Sequence, residues 1–93
     1  MSDDKIIWKC VVGYEGLYWA SNVGDIKSNK TTLKPAINHG GYKQVVLCKN
    51  SVRKSFRVHR LVATSFLLKK DSSLVVNHID GNKINNNINN LEW

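Results

Sequence analysis

Three histidines are the side chains best able to move a proton near neutral pH in this chain. His39 precedes Gly40-Gly41 and reads as an exposed loop residue. His59 stands beside Arg60 and suits a structural hydrogen bond or a phosphate contact. His78 has a different setting, Val75-Val76-Asn77-His78-Ile79-Asp80-Gly81-Asn82. Here an apolar stretch ends on an amide and an imidazole, a carboxylate follows, and an asparagine-rich loop comes after it. A neutral imidazole fixed in such a place can take a proton from water, the step that one-metal phosphodiester hydrolysis requires. On residue chemistry alone, a surface turn with an incidental histidine is the stronger reading.

The charge distribution adds a second signal. The 93 residues carry a formal net charge of +7, and residues 26–70 hold eleven basic side chains and no acidic one. These are Lys27, Lys30, Lys34, Lys43, Lys49, Arg53, Lys54, Arg57, Arg60, Lys69 and Lys70. A basic block between mildly acidic ends is the electrostatic footprint of a polyanion binder. Base composition of the gene offers a blander account, because AT-rich codons favour Lys and Asn, and each occurs eleven times here. That account explains the lysines but not the missing acids, so a nucleic-acid partner is the better reading.

The elements that must hold these groups follow from turn signals and periodicity. Leu17–Ser21 and Asp25–Ser28 read as a hairpin across Asn22-Val23-Gly24. Tyr42–Cys48 reads as a largely buried, Val-rich strand, with Ser55–Val58 returning beside it across Lys49-Asn50-Ser51-Val52. Phe56 and Val58 then point inward, while Ser55 and Arg57 point to solvent. Val58, Leu61, Val62, Ser65 and Phe66 recur at helical spacing, which predicts a short amphipathic helix over His59–Leu68 without an N-terminal cap. Leu74–Asn77 is expected to be a strand, Asp80-Gly81 a turn, Asn82–Asn90 irregular, and Leu91–Trp93 a last strand pairing back. The fold class is therefore α+β, small antiparallel hairpins packed on one short helix. Trp8, Tyr18, Val46, Phe56, Leu61, Val62 and Phe66 are the expected shared core. No apolar run reaches about 18 residues and the N-terminus is not signal-like, which argues against membrane-spanning and secreted proteins. Cys10 and Cys48 read as small core residues of a reducing compartment.

The segments Asn77-His78-Ile79-Asp80-Gly81-Asn82-Lys83 and Asn90-Leu91-Glu92-Trp93 resemble the first two parts of an HNH endonuclease motif. Upstream, Trp8-Lys9, Gly13-Tyr14-Glu15-Gly16-Leu17-Tyr18 and Ser21-Asn22-Val23-Gly24 are similar to the nuclease-associated modular domain of phage and intron homing endonucleases. Gly41-Tyr42, Leu47-Cys48-Lys49-Asn50 and Phe56-Arg57-Val58-His59-Arg60-Leu61-Val62-Ala63 belong to the same pattern. Each piece is weak alone, but their order and spacing across residues 6–93 are specific.

The resemblance implies one compact unit over 1–93, with a modular part over 6–50 and an HNH-like part over 51–93. It implies His78 as general base, Asn77 at a metal-ligand position, and Asn90 as the residue tying the motif's two strands together. It further implies Mg²⁺ or Mn²⁺ as the cofactor, and double-stranded DNA in a bacterial host cytoplasm as the substrate. Lys43, Lys49, Arg53, Lys54, Arg57 and Arg60 are the candidate DNA-binding side chains, the arginines suiting phosphate by geometry. The chain departs from the pattern in two places. Asn77 is neutral where a carboxylate is usual. The sequence also stops at Trp93, before the helix that carries the family's last ligand, so the ββα-metal motif reads as its two strands without the last helix, apparently truncated at the C-terminus. Three functions remain open: a nuclease or a piece of one, a nuclease-derived module that binds DNA without cutting it, and a phage-encoded regulator of a host protein or nucleoprotein complex.

Overall fold

The computed structural model describes residues 5–67 and 75–93. It has eight short strands and one helix in the order β1 (Trp8–Cys10), β2 (Tyr18–Ser21), β3 (Ile26–Ser28), β4 (Ala36–Ile37), β5 (Lys43–Lys49), β6 (Val52–Arg57), α1 (Val58–Phe66), β7 (Asn77–His78) and β8 (Leu91–Glu92). A single 3₁₀ turn, Ile88–Asn90, leads into β8. The strands form three antiparallel sheets, β1-β2-β3, β4-β5-β6 and β7-β8.

Turn chemistry sets these registers. Between β5 and β6 the two-residue turn Asn50-Ser51 has φ +53° and +64°, the left-handed pair that matches the twist of an antiparallel hairpin. Lys49 therefore faces Val52, and the pairing runs on to Gln44 opposite Arg57. Between β2 and β3 the chain turns through Gly24 at φ +95°. The fully buried Ser21 Oγ accepts from the backbone N–H of Val23 and of Asp25 at 3.3 and 2.9 Å, holding that turn closed.

Helix α1 is nine residues long, with no side-chain cap at its start and no acidic residue in its first turn. A helix this short does not persist in water unless packing holds it. Here Val58, Leu61, Val62 and Ala63 bury one face in a core with Val11, Ala20, Ile26, Val45, Leu47 and Leu91. The helix thereby touches strands of all three sheets.

The expected α+β architecture is present, with shifts in detail. The helix begins at Val58 and ends at Phe66, so Val58 closes no strand but opens the helix; Leu68 lies outside the described residues. The strand expected over Leu74–Asn77 forms instead at Asn77–His78, and Leu74, Lys69 and Lys70 also lie outside the described residues. Strand β5 is not buried throughout. Its side chains alternate, with Val45 and Leu47 inside and Val46 48% exposed, because only one face of this sheet meets the helix. Among the other expected core residues, Tyr18, Phe56 and Phe66 pack partly buried on the core, while Trp8 lies outside it with Lys27 Nζ 4.3 Å from its ring centre. Both cysteines are exposed rather than in the core. Cys48 stands opposite Arg53 on the outward face of β5-β6, and Cys10 opposite Trp19 on β1-β2.

His59 is buried at 5% exposure on α1. Burial first, and then the electrostatic influence of neighbouring His78 and of the cations Arg57 and Arg60, lower its pKa from 6.5 to about 4. The unfolded chain takes this proton near its ordinary pKa, whereas the native chain refuses it until about pH 4. Stability is therefore fully present above about pH 6.5 and lost as pH falls through that window.

Two outcomes follow. Leu47→Ala should cost about 2–5 kcal/mol in urea unfolding, against less than about 1 kcal/mol for Val46→Ala one position away. Wild-type stability should fall by a few kcal/mol between about pH 6.5 and about pH 4, and His59→Leu should flatten most of that slope.

Candidate active site

Strands β7 and β8 are too short to hold a shape alone, and side-chain amides complete them. Asn90 is buried and bonds in three directions. Its Nδ2 donates to Asp80 Oδ1 at 2.8 Å and to the Asn85 carbonyl at 2.9 Å, and its Oδ1 accepts from the Asp80 backbone N–H at 3.0 Å. The Asn90 carbonyl accepts from the Ile79 N–H at 2.8 Å. Asp80 receives further bonds from Asn85 Nδ2 and the Asn82 N–H. Together these donors, that of Asn85 first, hold the Asp80 carboxyl below the usual carboxylate range. The turn closes through Gly81 at φ +75°, whose N–H donates to the His78 carbonyl at 2.9 Å.

This frame sets the neighbours of His78, which is 7% exposed. His78 Nε2 lies 2.8 Å from Asn86 Oδ1. Its ring packs 5.0 Å from that of His59, nearly edge-on, and 6.0 Å from that of Tyr42. Tyr42 and His59 are themselves 5.1 Å apart. Two cations stand on Tyr42, the Arg57 guanidinium at 5.2 Å and Lys83 Nζ at 5.0 Å, and Lys83 is anchored to the Gly40 carbonyl at 2.9 Å. The imidazole of His78 thus sits in a wall of rings with positive charge close behind, a setting suited to a phosphodiester.

Asn77 is exposed beside it, and its Nδ2 donates to Glu92 Oε2 at 2.8 Å across the β7-β8 pair. Asn77 Oδ1 and the Glu92 carboxylate are the oxygens offered to a hard divalent ion, which takes six or more. Among the described residues no three His, Cys, Asp or Glu side chains gather as a metal site. The Asp80 carboxylate is engaged by its three donors. The described residues therefore do not fit a divalent ion as a complete ligand set.

The six basic candidates do not share one surface. Arg53 and Arg57 lie on the outward face of β5-β6, opposite Cys48 and Gln44. Lys49 and Lys54 lie at the other face near the hairpin tip, where Lys49 Nζ donates to the Gly13 carbonyl at 2.7 Å and approaches the Tyr14 ring. Lys43 is half-buried opposite Ile37, and Arg60 lies 5.7 Å from the Trp93 ring. His39 is exposed. Sequence reasoning missed Tyr42, Lys83 and Asn86 near His78, and gave His59 no place beside it. The spacing of His59 from Val62, Ala63 and Phe66 at helical intervals was the available signal for its burial. No local signal separates Asn86 from its many asparagine neighbours.

Comparison with known proteins agrees with this organisation. Residues 7–48 match the NUMOD4 motif and residues 56–93 match an HNH endonuclease model. The DNA endonuclease I-HmuI of Bacillus phage SP01 is 48% identical over 92% of this chain, which covers 51% of that protein. An uncharacterized HNH endonuclease of Acanthamoeba polyphaga mimivirus is 44% identical over 92% of the chain, covering 26% of its own length. The solved structure of I-HmuI, a homing endonuclease described as binding and cleaving DNA, superposes with a TM-score of 0.89. It is 47% identical in sequence, and the match spans 94% of this chain and 51% of that one. The chain thus spans about half the length, or less, of the relatives it matches. The chain is similar to HNH homing endonucleases along nearly its whole length, with a NUMOD4 motif on the N-terminal sheets, an HNH match running from β6 to β8, and a shared α+β fold.

Proposed function

We propose that this chain is the DNA-gripping and base-bearing part of an HNH endonuclease that hydrolyses phosphodiester bonds in double-stranded DNA. The observation that carries the reading is the setting of His78. One of its ring nitrogens is engaged by Asn86 Oδ1, and the cations Arg57 and Lys83 stand on the adjoining Tyr42 ring. The nitrogen not facing Asn86 takes the proton from water as the water oxygen attacks phosphorus; the P–O3′ bond breaks, and the leaving 3′-oxygen takes a proton from solvent. Arg57 and Lys83 draw the phosphate towards the imidazole, and Arg53, on the same outward face as Arg57, extends the grip along the backbone. A divalent ion, Mg²⁺ or Mn²⁺, supplies charge stabilisation in this family's reaction when bound. Asn77 and Glu92 would be the oxygens this chain contributes, and Asn90 keeps the two strands joined. The modular part over 6–50 supports the HNH-like part over 51–93 through the packing of α1.

A second reading, a module that binds DNA without cutting it, is favoured by the same donor set, one amide and one carboxylate. Binding and nicking separate the two. Duplex affinity should fall with salt on a log–log slope of roughly −3 if Arg53, Arg57 and Lys83 each neutralise a phosphate, and Arg57→Ala should flatten it by about 1. A flat salt response would remove DNA as the partner. In a plasmid-nicking assay with Mg²⁺ or Mn²⁺, His78→Ala should lower the rate by about 10²–10⁴ while binding persists. Equal nicking by that variant sinks the role of His78, and salt-dependent binding with no nicking by the wild type selects the second reading.

A further inference from the structure

Asn86 is an unusual residue to bury. It is 4% exposed, and its Nδ2 has no hydrogen-bond partner among the described residues. A buried amide with an orphaned donor is destabilising, so stability does not account for an asparagine at this position. Its other end has a definite task. Oδ1 can only accept, so the His78 nitrogen 2.8 Å away must carry the proton. That leaves the lone pair of the neutral ring on Nδ1. The neighbouring rings of His59 and Tyr42 restrain the plane of the imidazole, but ring packing is indifferent to which nitrogen is protonated.

Asn86 is in turn held from the far end of the chain. A Cβ at Gly24 would lie 2.9 Å from the Asn86 backbone carbon, its carbonyl oxygen and its own Cβ. Real Cβ atoms do not approach backbone so closely, so only glycine lets the β2–β3 turn sit flat against this residue. Two residues along each segment, the Ile88 N–H donates to the Asn22 carbonyl at 2.8 Å, tying the same two loops together.

We propose that Asn86 is a positioning residue that fixes the His78 imidazole with its lone pair on Nδ1, and that the β2–β3 turn fixes Asn86 through the Gly24 contact. The N-terminal sheet then supports the base directly and is more than a handle for DNA. The inference rests on His78 being the base, as proposed above, but it is tested without any cleavage.

The experiment is NMR of the 93-residue chain labelled with ¹⁵N in histidine, at a pH about two units above the ordinary histidine pKa. His78 should show a proton on Nε2, protected from exchange with water, and an unprotonated Nδ1. Asn86→Ala should abolish that protection, with exchange about tenfold faster or more. Asn86→Asp, which keeps an accepting oxygen in place, should restore it. Gly24→Ala should weaken the signal, whereas Gly16→Ala should leave it. Gly16 has a similar positive φ, +82° against +95°, but nothing within 4 Å of an added Cβ, so the pair separates contact from backbone strain. An Nε2 without a proton in the wild type overturns the proposal even if Asn86→Ala fails to fold. Unchanged protection in Asn86→Ala overturns it as well, and equal effects of the two glycine substitutions overturn the link to the β2–β3 turn. Failure of the nuclease reading would appear only in the nicking assay, so the two can fail separately.

Discussion

A nine-residue helix with an uncapped start is the constraint on which the rest of this structure depends. It cannot form ahead of its partners, because the first turn of a helix costs more backbone freedom than one hydrogen bond returns. Its buried stripe is completed by residues of every sheet, Ala20 and Ile26 from the first, Val45 and Leu47 from the second, Leu91 from the third. The two-stranded sheet is too small to be stable alone, and the two three-stranded sheets each have an apolar face that must be covered. The helix and the three sheets are therefore mutually conditional, and the groups they carry appear in position together. His59 illustrates the consequence. The packing that buries the stripe also drives this imidazole under Tyr42 and against His78, at the expense of its ability to take a proton.

The loop between β7 and β8 is built on a different principle. Nothing apolar enough to drive its folding lies between Asp80 and Asn87 except the exposed Ile84. Order comes instead from amide and carboxylate groups that satisfy one another: Asp80 takes three bonds, and Asn90 makes four counting its backbone carbonyl. Asparagine suits this work, since its short side chain both donates and accepts and competes well with regular backbone pairing. AT-rich codon usage accounts for an abundance of asparagine but not for its arrangement here. Asn90 and Asn85 close on the same carboxylate, while Asn86 turns away from it towards His78.

The legible parts of the fold were those decided within a few residues. Gly24 and Asn50-Ser51 mark turns, Leu61, Val62 and Phe66 mark a helix face, and Leu91-Glu92 falls in the expected last strand, whereas its partner strand is Asn77-His78 and begins later than the sequence suggested. Val46 and Cys48 were misplaced because hydrophobicity cannot say which face of a strand is covered; the single layer of helix decides it, and that is a tertiary fact. His78 and Asn90 stood out in the sequence by their motif. Asn86 did not, because its setting depends on a glycine in another sheet. Tyr42 and Lys83 were hidden for the same reason: the tyrosine precedes β5 and the lysine follows Gly81, and only the folded chain stacks one on the other.

The split of the basic side chains limits how a duplex can lie on this surface. A basic block in sequence suggests one continuous patch, but alternation along β6 sends Arg53 and Arg57 to one side and Lys54 to the other. Lys49 is partly committed to the Gly13 carbonyl and Tyr14 at the hairpin tip. The cations on the Tyr42 ring, which packs beside His78, are Arg57 and Lys83, from two elements remote in sequence. In the proposed function a phosphate at the imidazole has both cations across the Tyr42 ring, and a backbone continuing along the outward face of β6 would next reach Arg53. Lys54 and Lys49 come into play only if the duplex bends around the hairpin or presents its second strand there. On the proposed reading, net charge would draw the polyanion in from a distance, and the alternation of a single strand would decide which phosphate reaches His78.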